Sequence, residues 1–280
     1  MSVLAQRVAT AVVVLAAFLL AVFLLPPRAF ALIVMVILVL AAHEWAKLIG
    51  LAPGAAAVYA MLVALVACAL LFAPQAAFAR GWPPRLLAVV CGVATLFWLL
   101  VAPFWVIARW PARSPWVMSV VGLITLPALW MALVQLHARS PWVLLAAMGL
   151  VWIADTAAFF AGRRFGRHKL APQVSPGKTW EGVAGALAGV AVYAILVACL
   201  RAGDSDPALD AAAIIAWVGI ALVLVAMSIV GDLYESWLKR TAGVKDSGAL
   251  LPGHGGVLDR IDALLAAMPP AALAIGAWLR

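Results

Sequence analysis

The stretch Gly231–Asp262, GDLYESWLKRTAGVKDSGALLPGHGGVLDRID, carries nine charged residues (Asp232, Glu235, Lys239, Arg240, Lys245, Asp246, Asp259, Arg260 and Asp262) in a 280-residue chain that has only 19 Lys or Arg and 11 Asp or Glu in all. The surroundings are of the opposite character. The chain is 68% hydrophobic and 11% charged, with mean hydropathy +1.14, whereas soluble domains run near half apolar and a quarter charged. It reads as an all-α polytopic integral membrane protein. Each span takes about 20 apolar residues, which leaves room for at most about ten helices and no separate soluble domain. Charges beside hydrocarbon are costly unless they bind something. Gly231–Asp262 is therefore read as the seat of chemistry, and the rest as its frame.

Outward from this stretch, apolar runs stand at about Val8–Leu25, 29–42, 55–73, 85–107, 116–136, 142–161, 182–200, 211–230 and 263–279. They predict about nine transmembrane helices, five in an N-terminal part (1–140) and four in a C-terminal catalytic part (141–280), within one membrane unit. The first run, followed by Ala29-Phe30-Ala31, has the outline of a cleaved signal. Its apolar core exceeds that of a signal peptide and Pro26, Pro27 and Arg28 intervene, so a retained span is expected. With the N-terminus in the cytoplasm, 13 of the 19 Lys and Arg fall on cytoplasmic loops and 6 on the other side, as the positive-inside bias requires. This puts the two charged loops, 162–181 and 231–262, together around a polar cavity on the cytoplasmic face of a cell (inner) membrane.

A pI near 10 suggests an anionic partner. No soluble basic domain or arm exists to meet nucleic acid, so membrane lipids and phosphate are the better partners. Cys68, Cys91 and Cys199 form neither a CxxC pair nor a metal knuckle and read as packing residues. Trp82, Trp110, Trp116 and Trp142 near run ends read as interfacial anchors. Glu44 is the only acidic residue before Asp155. Two readings stand for it, a functional carboxylate or an interfacial pair with Lys47.

Asp155 lies inside an otherwise apolar run and is a functional candidate because hydrocarbon does not solvate it; a structural pair with Arg is the alternative. The following loop, RRFGRHKLAPQVSPGKTWEG, gathers Arg163, Arg164, Arg167, Lys169 and Lys178 beside Ser175, Thr179 and Glu181, with Pro172 and Pro176 fixing a turn. Gly177-Lys178-Thr179 is no P-loop, since proline stands where the first glycine is needed. Asp232, Glu235, Ser236 and Lys239 have the spacing of one helix face, and Asp259 and Asp262 share a face beside Arg260. The turn between them, LLPGHGG with His254, Gly255 and Gly256, can offer backbone N–H groups to phosphate and bring Asp232 close to Asp259. Carboxylates converging beside cations suit a divalent ion carrying a polyphosphate, and oxygen donors point to magnesium rather than zinc.

These residues carry a resemblance. Ser236, Lys239-Arg240, Lys245-Asp246, Pro252, His254-Gly255-Gly256, Asp259-Arg260 and Asp262 resemble the signature of the phosphatidate cytidylyltransferases, the CDP-diacylglycerol synthases. Asp155-Thr156, Gly162, Phe165-Gly166, Lys169-Leu170, Ser175-Pro176, Lys178-Thr179 and Glu181-Gly182 resemble the same family; Gly177 stands where many relatives carry a larger polar residue. The resemblance covers roughly the C-terminal half. It implies that CTP and phosphatidic acid react to give CDP-diacylglycerol and pyrophosphate. On this reading Asp232 and Asp259 hold magnesium with Asp262 and Asp155 in or beside its ligand set. Lys169, Lys178, Lys239, Arg240 and Arg260 neutralise the phosphates. Ser175, Thr179, Glu181, Ser236 and the turn at His254, Gly255 and Gly256 line the substrates, and Lys245 with Asp246 shapes the nucleotide pocket. A potassium ion beside magnesium and a homodimer are implied by the resemblance alone.

Two rival classes remain at this point. A CTP-dependent polyprenol or phytol kinase would transfer the γ-phosphate and leave CDP. A transporter would spread its charges through several spans, whereas 16 of the 30 here fall in 155–181 and 231–262.

Overall fold

The computed structural model describes residues 3–72, 81–108, 114–202, 211–250 and 255–278. Trp110, Pro252 and His254 lie outside the described residues. The chain forms helices α1 (Val3–Leu24), α2 (Pro27–Leu48), α3 (Pro53–Leu71), α4 (Pro84–Leu96) and α5 (Ala102–Ala108), the last two joined by a π-helical turn, Phe97–Val101. Then come α6 (Pro115–Arg139), α7 (Pro141–Phe165), strands β1 (Lys169–Ala171) and β2 (Ser175–Thr179), α8 (Trp180–Ala202), α9 (Ala211–Thr241) and α10 (Leu258–Trp278). Five of these helices open on proline (27, 53, 84, 115 and 141), whose missing N–H costs nothing in the first turn and whose φ is already helical.

Seven helical segments are long and apolar enough to cross a membrane: α2, α3, α4 through α5, α6, α7, α8 and α9. They correspond to seven of the nine predicted runs, and α1 and α10 occupy the other two. Large apolar side chains such as Val36, Met61, Val89, Phe104 and Val192 form the exposed outer surface, as expected for segments solvated by lipid. The interior belongs to α6 and α10. α6 is the most buried span, and in α10 every residue from Ala263 to Ala272 is buried. A helix apolar all round belongs in the middle of a bundle, and α10 packs against α9, α6, α4, α7 and α2.

Small residues set how closely the helices approach. On α8, a Cβ at Gly185 would collide with Ala161 of α7, and one at Gly189 would come within 2.8 Å of Ala157. α7 and α8 thus meet along a seam of alanine and glycine, the packing favoured where lipid supplies no hydrophobic drive between helices. Gly231 plays the same part between α9 and α10, where a Cβ would lie 2.7 Å from the Asp262 carbonyl and 2.9 Å from Ala266.

Three expectations need correction. The chain is nearly but not wholly helical: β1 and β2 form an antiparallel hairpin, Lys169 opposite Thr179 and Ala171 opposite Ser175. Trp82 is no interfacial anchor. It is 4% exposed, its indole donates to the Leu70 carbonyl at 2.9 Å and its N–H to Gln135 Oε1 at 2.8 Å. Of the cysteines, Cys91 is buried but Cys199 is exposed on α8, so only some of them pack within the chain.

Gly185→Val is expected to force α7 from α8 and lower stability by about 1–3 kcal/mol, the usual cost of overpacking, read as a lower thermal unfolding midpoint in detergent.

Candidate active site

Each of the two charged loops has regular structure within it. α7 runs on to Phe165, and the hairpin folds the following chain back over the end of the bundle. α9 continues to Thr241, so Asp232, Glu235, Ser236 and Lys239 do share one helical face, and α10 begins early enough to put Asp259 and Asp262 in its first turn and a half. The small-residue contact at Gly231 draws these two helices together where their acids are.

The inner part of the cluster is centred on Lys239. Its ammonium lies 2.5 Å from Glu235 Oε2 and 2.6 Å from Asp259 Oδ1, with side chains only 12%, 2% and 5% exposed. Asp259 Oδ2 accepts from the backbone N–H groups of Ser247 at 3.0 Å and Gly256 at 2.8 Å. Burial at the head of α10, ahead of the apolar stretch, acts to raise the Asp259 pKa, but Lys239 and the two N–H donors outweigh it and hold the carboxyl down at about 2. Being depressed, this group contributes stability that is present above about pH 4 and is lost as pH falls toward 2.

The outer part is more open. Lys178, on β2, reaches Asp232 of α9 with Nζ–Oδ2 2.6 Å, and Ser236 Oγ donates to Asp232 Oδ1 at 3.4 Å. Asp155, exposed on α7, lies within electrostatic reach of Asp232 and Lys178. Half-buried Asp262 interacts with Asp232, Lys178 and Lys239. Four elements, α7, β2, α9 and α10, thus deliver Asp155, Lys178, Asp232, Lys239, Asp259 and Asp262 to one place. The Arg partner considered for Asp155 is not what the structure places beside it. Among the described residues, no three His, Cys, Asp or Glu side chains are close enough to hold a metal ion by themselves.

Below the cluster lies an aromatic floor. Tyr234, fully buried on α9, stacks on Trp45 at 6.3 Å and meets Phe97, Trp98, Trp105 and Trp237 edge-on or tilted at 5.3–6.1 Å. The π-helical turn breaks the α-helical register where Phe97 and Trp98 both meet Tyr234.

Other predicted site residues have different surroundings. Arg240 clamps two turns, its Nε donating to the Val174 carbonyl at 3.4 Å and its Nη1 to that of Val244 at 3.2 Å. Lys169 spans the hairpin to the Pro176 carbonyl at 2.8 Å. Thr179 is 7% exposed and its hydroxyl accepts from the Gly182 N–H at 3.1 Å, which caps α8. Glu181 binds His168, with Nδ1–Oε1 2.7 Å. Ser175 is half-buried on β2, Arg260 is exposed on α10, and Lys245 and Asp246 are exposed in the turn after α9. The Gly256 N–H is already engaged by Asp259, and Gly255, at φ +81°, leaves no room for a Cβ beside the same carboxylate.

Two further residues join this network: Glu44, which the sequence left between a functional carboxylate and an interfacial pair, and Ser247, which it did not single out. Glu44 of α2 is 3% exposed and does not pair with Lys47, which is exposed. Its carboxylate accepts from Ser247 Oγ at 2.9 Å, the Val257 N–H at 3.0 Å and the Leu258 N–H at 2.8 Å. Ser247 is the other, linking Glu44 to Asp259. The isolation of Glu44 in an acid-free half was the only signal of its importance.

The chain as a whole is similar to proteins of one family. The model of the cytidylyltransferase family matches residues 5–278. A phosphatidate cytidylyltransferase of Pseudomonas aeruginosa is 43% identical over 269 residues, covering 95% of this chain and 94% of that one. One from Haemophilus influenzae is 35% identical over 285 residues, 95% and 96% of the two chains. One from Thermotoga maritima is 42% identical over 118 residues, 42% and 43% of the two.

Lys239→Met, which strands Glu235 and Asp259 without their shared cation, is expected to cost about 3–5 kcal/mol. Detergent melts should show the loss, with partial recovery when Glu235→Gln is added.

Proposed function

The chain belongs to the cytidylyltransferase family, and from that premise we propose that it transfers CMP from CTP to phosphatidic acid, releasing pyrophosphate and forming CDP-diacylglycerol for phospholipid synthesis. The observation that carries this reading is the convergence of Asp155, Asp232, Asp259 and Asp262 with Lys178 and Lys239 at one end of an apolar bundle. A phosphate oxygen of the lipid attacks the α-phosphorus of CTP, a new P–O bond forms, and the bond to the β-phosphate breaks. A phosphomonoester is already largely dianionic near neutral pH, so the reaction asks for charge neutralisation and alignment more than for a base. Lys178 and Lys239 stand where they can transfer their attraction from carboxylates to phosphate oxygens. Ser236, hydrogen-bonded to Asp232, would help orient them, and Ser175, on the same strand as Lys178, is proposed to do so too.

The donor set suits magnesium. Its oxygens are hard, and magnesium characteristically binds one or two carboxylates together with substrate phosphates and water rather than an all-protein cage, which accords with the lack of a three-ligand group among the described residues. Asp232 and Asp259 would hold it, with Asp155 and Asp262 adjoining, and when bound it supplies Lewis-acid neutralisation of the triphosphate. The potassium ion and the homodimer are part of the reading through family resemblance. With α1 and α10 counted, the spans number nine. The N-terminus and the site then lie on the cytoplasmic side of a cell membrane, supported by the 13-to-6 distribution of Lys and Arg.

Purified protein given CTP labelled on the α-phosphate, phosphatidic acid and magnesium should move label into lipid with matching pyrophosphate, and EDTA should stop it. Asp259→Asn is expected to lower turnover by on the order of 10²-fold or more in a protein that still elutes as a folded species. Label left in soluble CDP would point instead to a kinase.

A further inference from the structure

We propose that Glu44 is a positioning residue for this active site. Docked on the start of α10, it holds the turn that presents Asp259. The proposal rests on the cytidylyltransferase reading above. Glu44 touches none of the reacting groups and lies 203 residues from Ser247 in sequence, on a helix that contributes no other acid.

The geometry is that of a cap supplied from another helix. Leu258 is the first residue of α10, and its N–H and that of Val257 have no carbonyl of their own helix to bind. Both donate to Glu44, at 2.8 and 3.0 Å, where a carboxylate also complements the positive end of the helix. The third donor, Ser247 Oγ at 2.9 Å, extends the effect. The backbone N–H of the same serine donates to Asp259 Oδ2 at 3.0 Å, and the Asp259 N–H returns to Ser247 Oγ at 3.3 Å. Asp259 is therefore two hydrogen bonds from Glu44. One carboxylate oxygen is held by Ser247 and Gly256, which leaves Oδ1 directed at Lys239 and the rest of the cluster.

The same contact accounts for two glycines. A Cβ at Gly248 would overlap Glu44 Oε1, and one at Gly256 would meet both Glu44 Oε2 and Ser247 Oγ. The turn is thus shaped around the Glu44 carboxylate. A glutamine offers one acceptor oxygen in place of two and brings an NH₂ that faces donors, so it cannot satisfy all three partners.

The test compares full-length wild type, Glu44→Gln, Ser247→Ala and the double variant in detergent, measuring cytidylyl transfer against magnesium and phosphatidic acid, with hydrogen exchange over residues 255–260. Glu44→Gln should lower kcat about tenfold or more, raise the magnesium needed for half-maximal rate about threefold or more, and leave the phosphatidate KM within about twofold. Ser247→Ala should shift the same two quantities. The double variant should be little worse than Glu44→Gln, because both changes break one chain of contacts. Losses that multiply, or a Glu44→Gln enzyme with wild-type kcat and magnesium dependence, would overturn the proposal. If Glu44→Gln does not fold, Ser247→Ala decides alone, and a wild-type magnesium profile refutes it. Should wild type itself transfer no CMP, the functional reading fails, while unchanged exchange at Val257 and Leu258 in Glu44→Gln would separately refute the docking.

Discussion

The ammonium of Lys239, 2.5 Å from Glu235 and 2.6 Å from Asp259, is what lets two apolar helices carry acids into the same place. Unpaired, two carboxylates this deeply buried would repel each other and forfeit hydration. With one cation between them, α9 and α10 can close on the small-residue contact at Gly231 and keep their charged ends aligned. Lys178 does the corresponding work for Asp232 at the outer, more open side. The site is thus graded, from compensated and buried charge at Lys239 to more accessible charge at Lys178.

A second constraint comes from backbone groups rather than charges. α10 starts inside the protein, so its first N–H groups have no water to bind. Glu44 of α2 takes up those of Val257 and Leu258, and Ser247 Oγ takes up that of Asp259. A carboxylate that satisfies a helix end is held in place by it, and so the arrangement that completes α10 also fixes the orientation of Asp259. The aromatic rings packed around Tyr234, the residue before Glu235, add rigidity to this part of α9.

Much of this was legible in the chain itself. Apolar length marked the core of each helix, because hydrocarbon thickness imposes it, but not the polar ends: α9 runs on past the apolar stretch to Thr241. The i, i+3, i+4, i+7 spacing of Asp232, Glu235, Ser236 and Lys239 became one face as soon as α9 proved helical, because helical periodicity is a local property. Asp155 was conspicuous as an acid in an apolar run. The β1–β2 hairpin was not legible: it is eight strand residues long, rich in proline and glycine, and held by pairing between strands rather than by composition. The π-helical turn left no mark either, since Phe97–Val101 is as apolar as its neighbours.

What the sequence by itself determined is the apolar, membrane-type helical class, the approximate position of the apolar helices and a list of candidate residues for chemistry, all of which follow from local composition and period. Only the tertiary structure decided how those residues are used. It turned Thr179 inward as a helix cap, set Arg240 to clamping turns, gave Gly255 a steric reason beside Asp259 and Gly256 one beside Glu44 and Ser247, and brought Glu44 across more than 200 residues of chain to Ser247 and Leu258. The physical reason is that a hydrogen bond depends on ångström proximity, and proximity between helices is set by packing at Gly231, Gly185 and the buried faces of α6 and α10, none of which is written at the positions that the packing brings together.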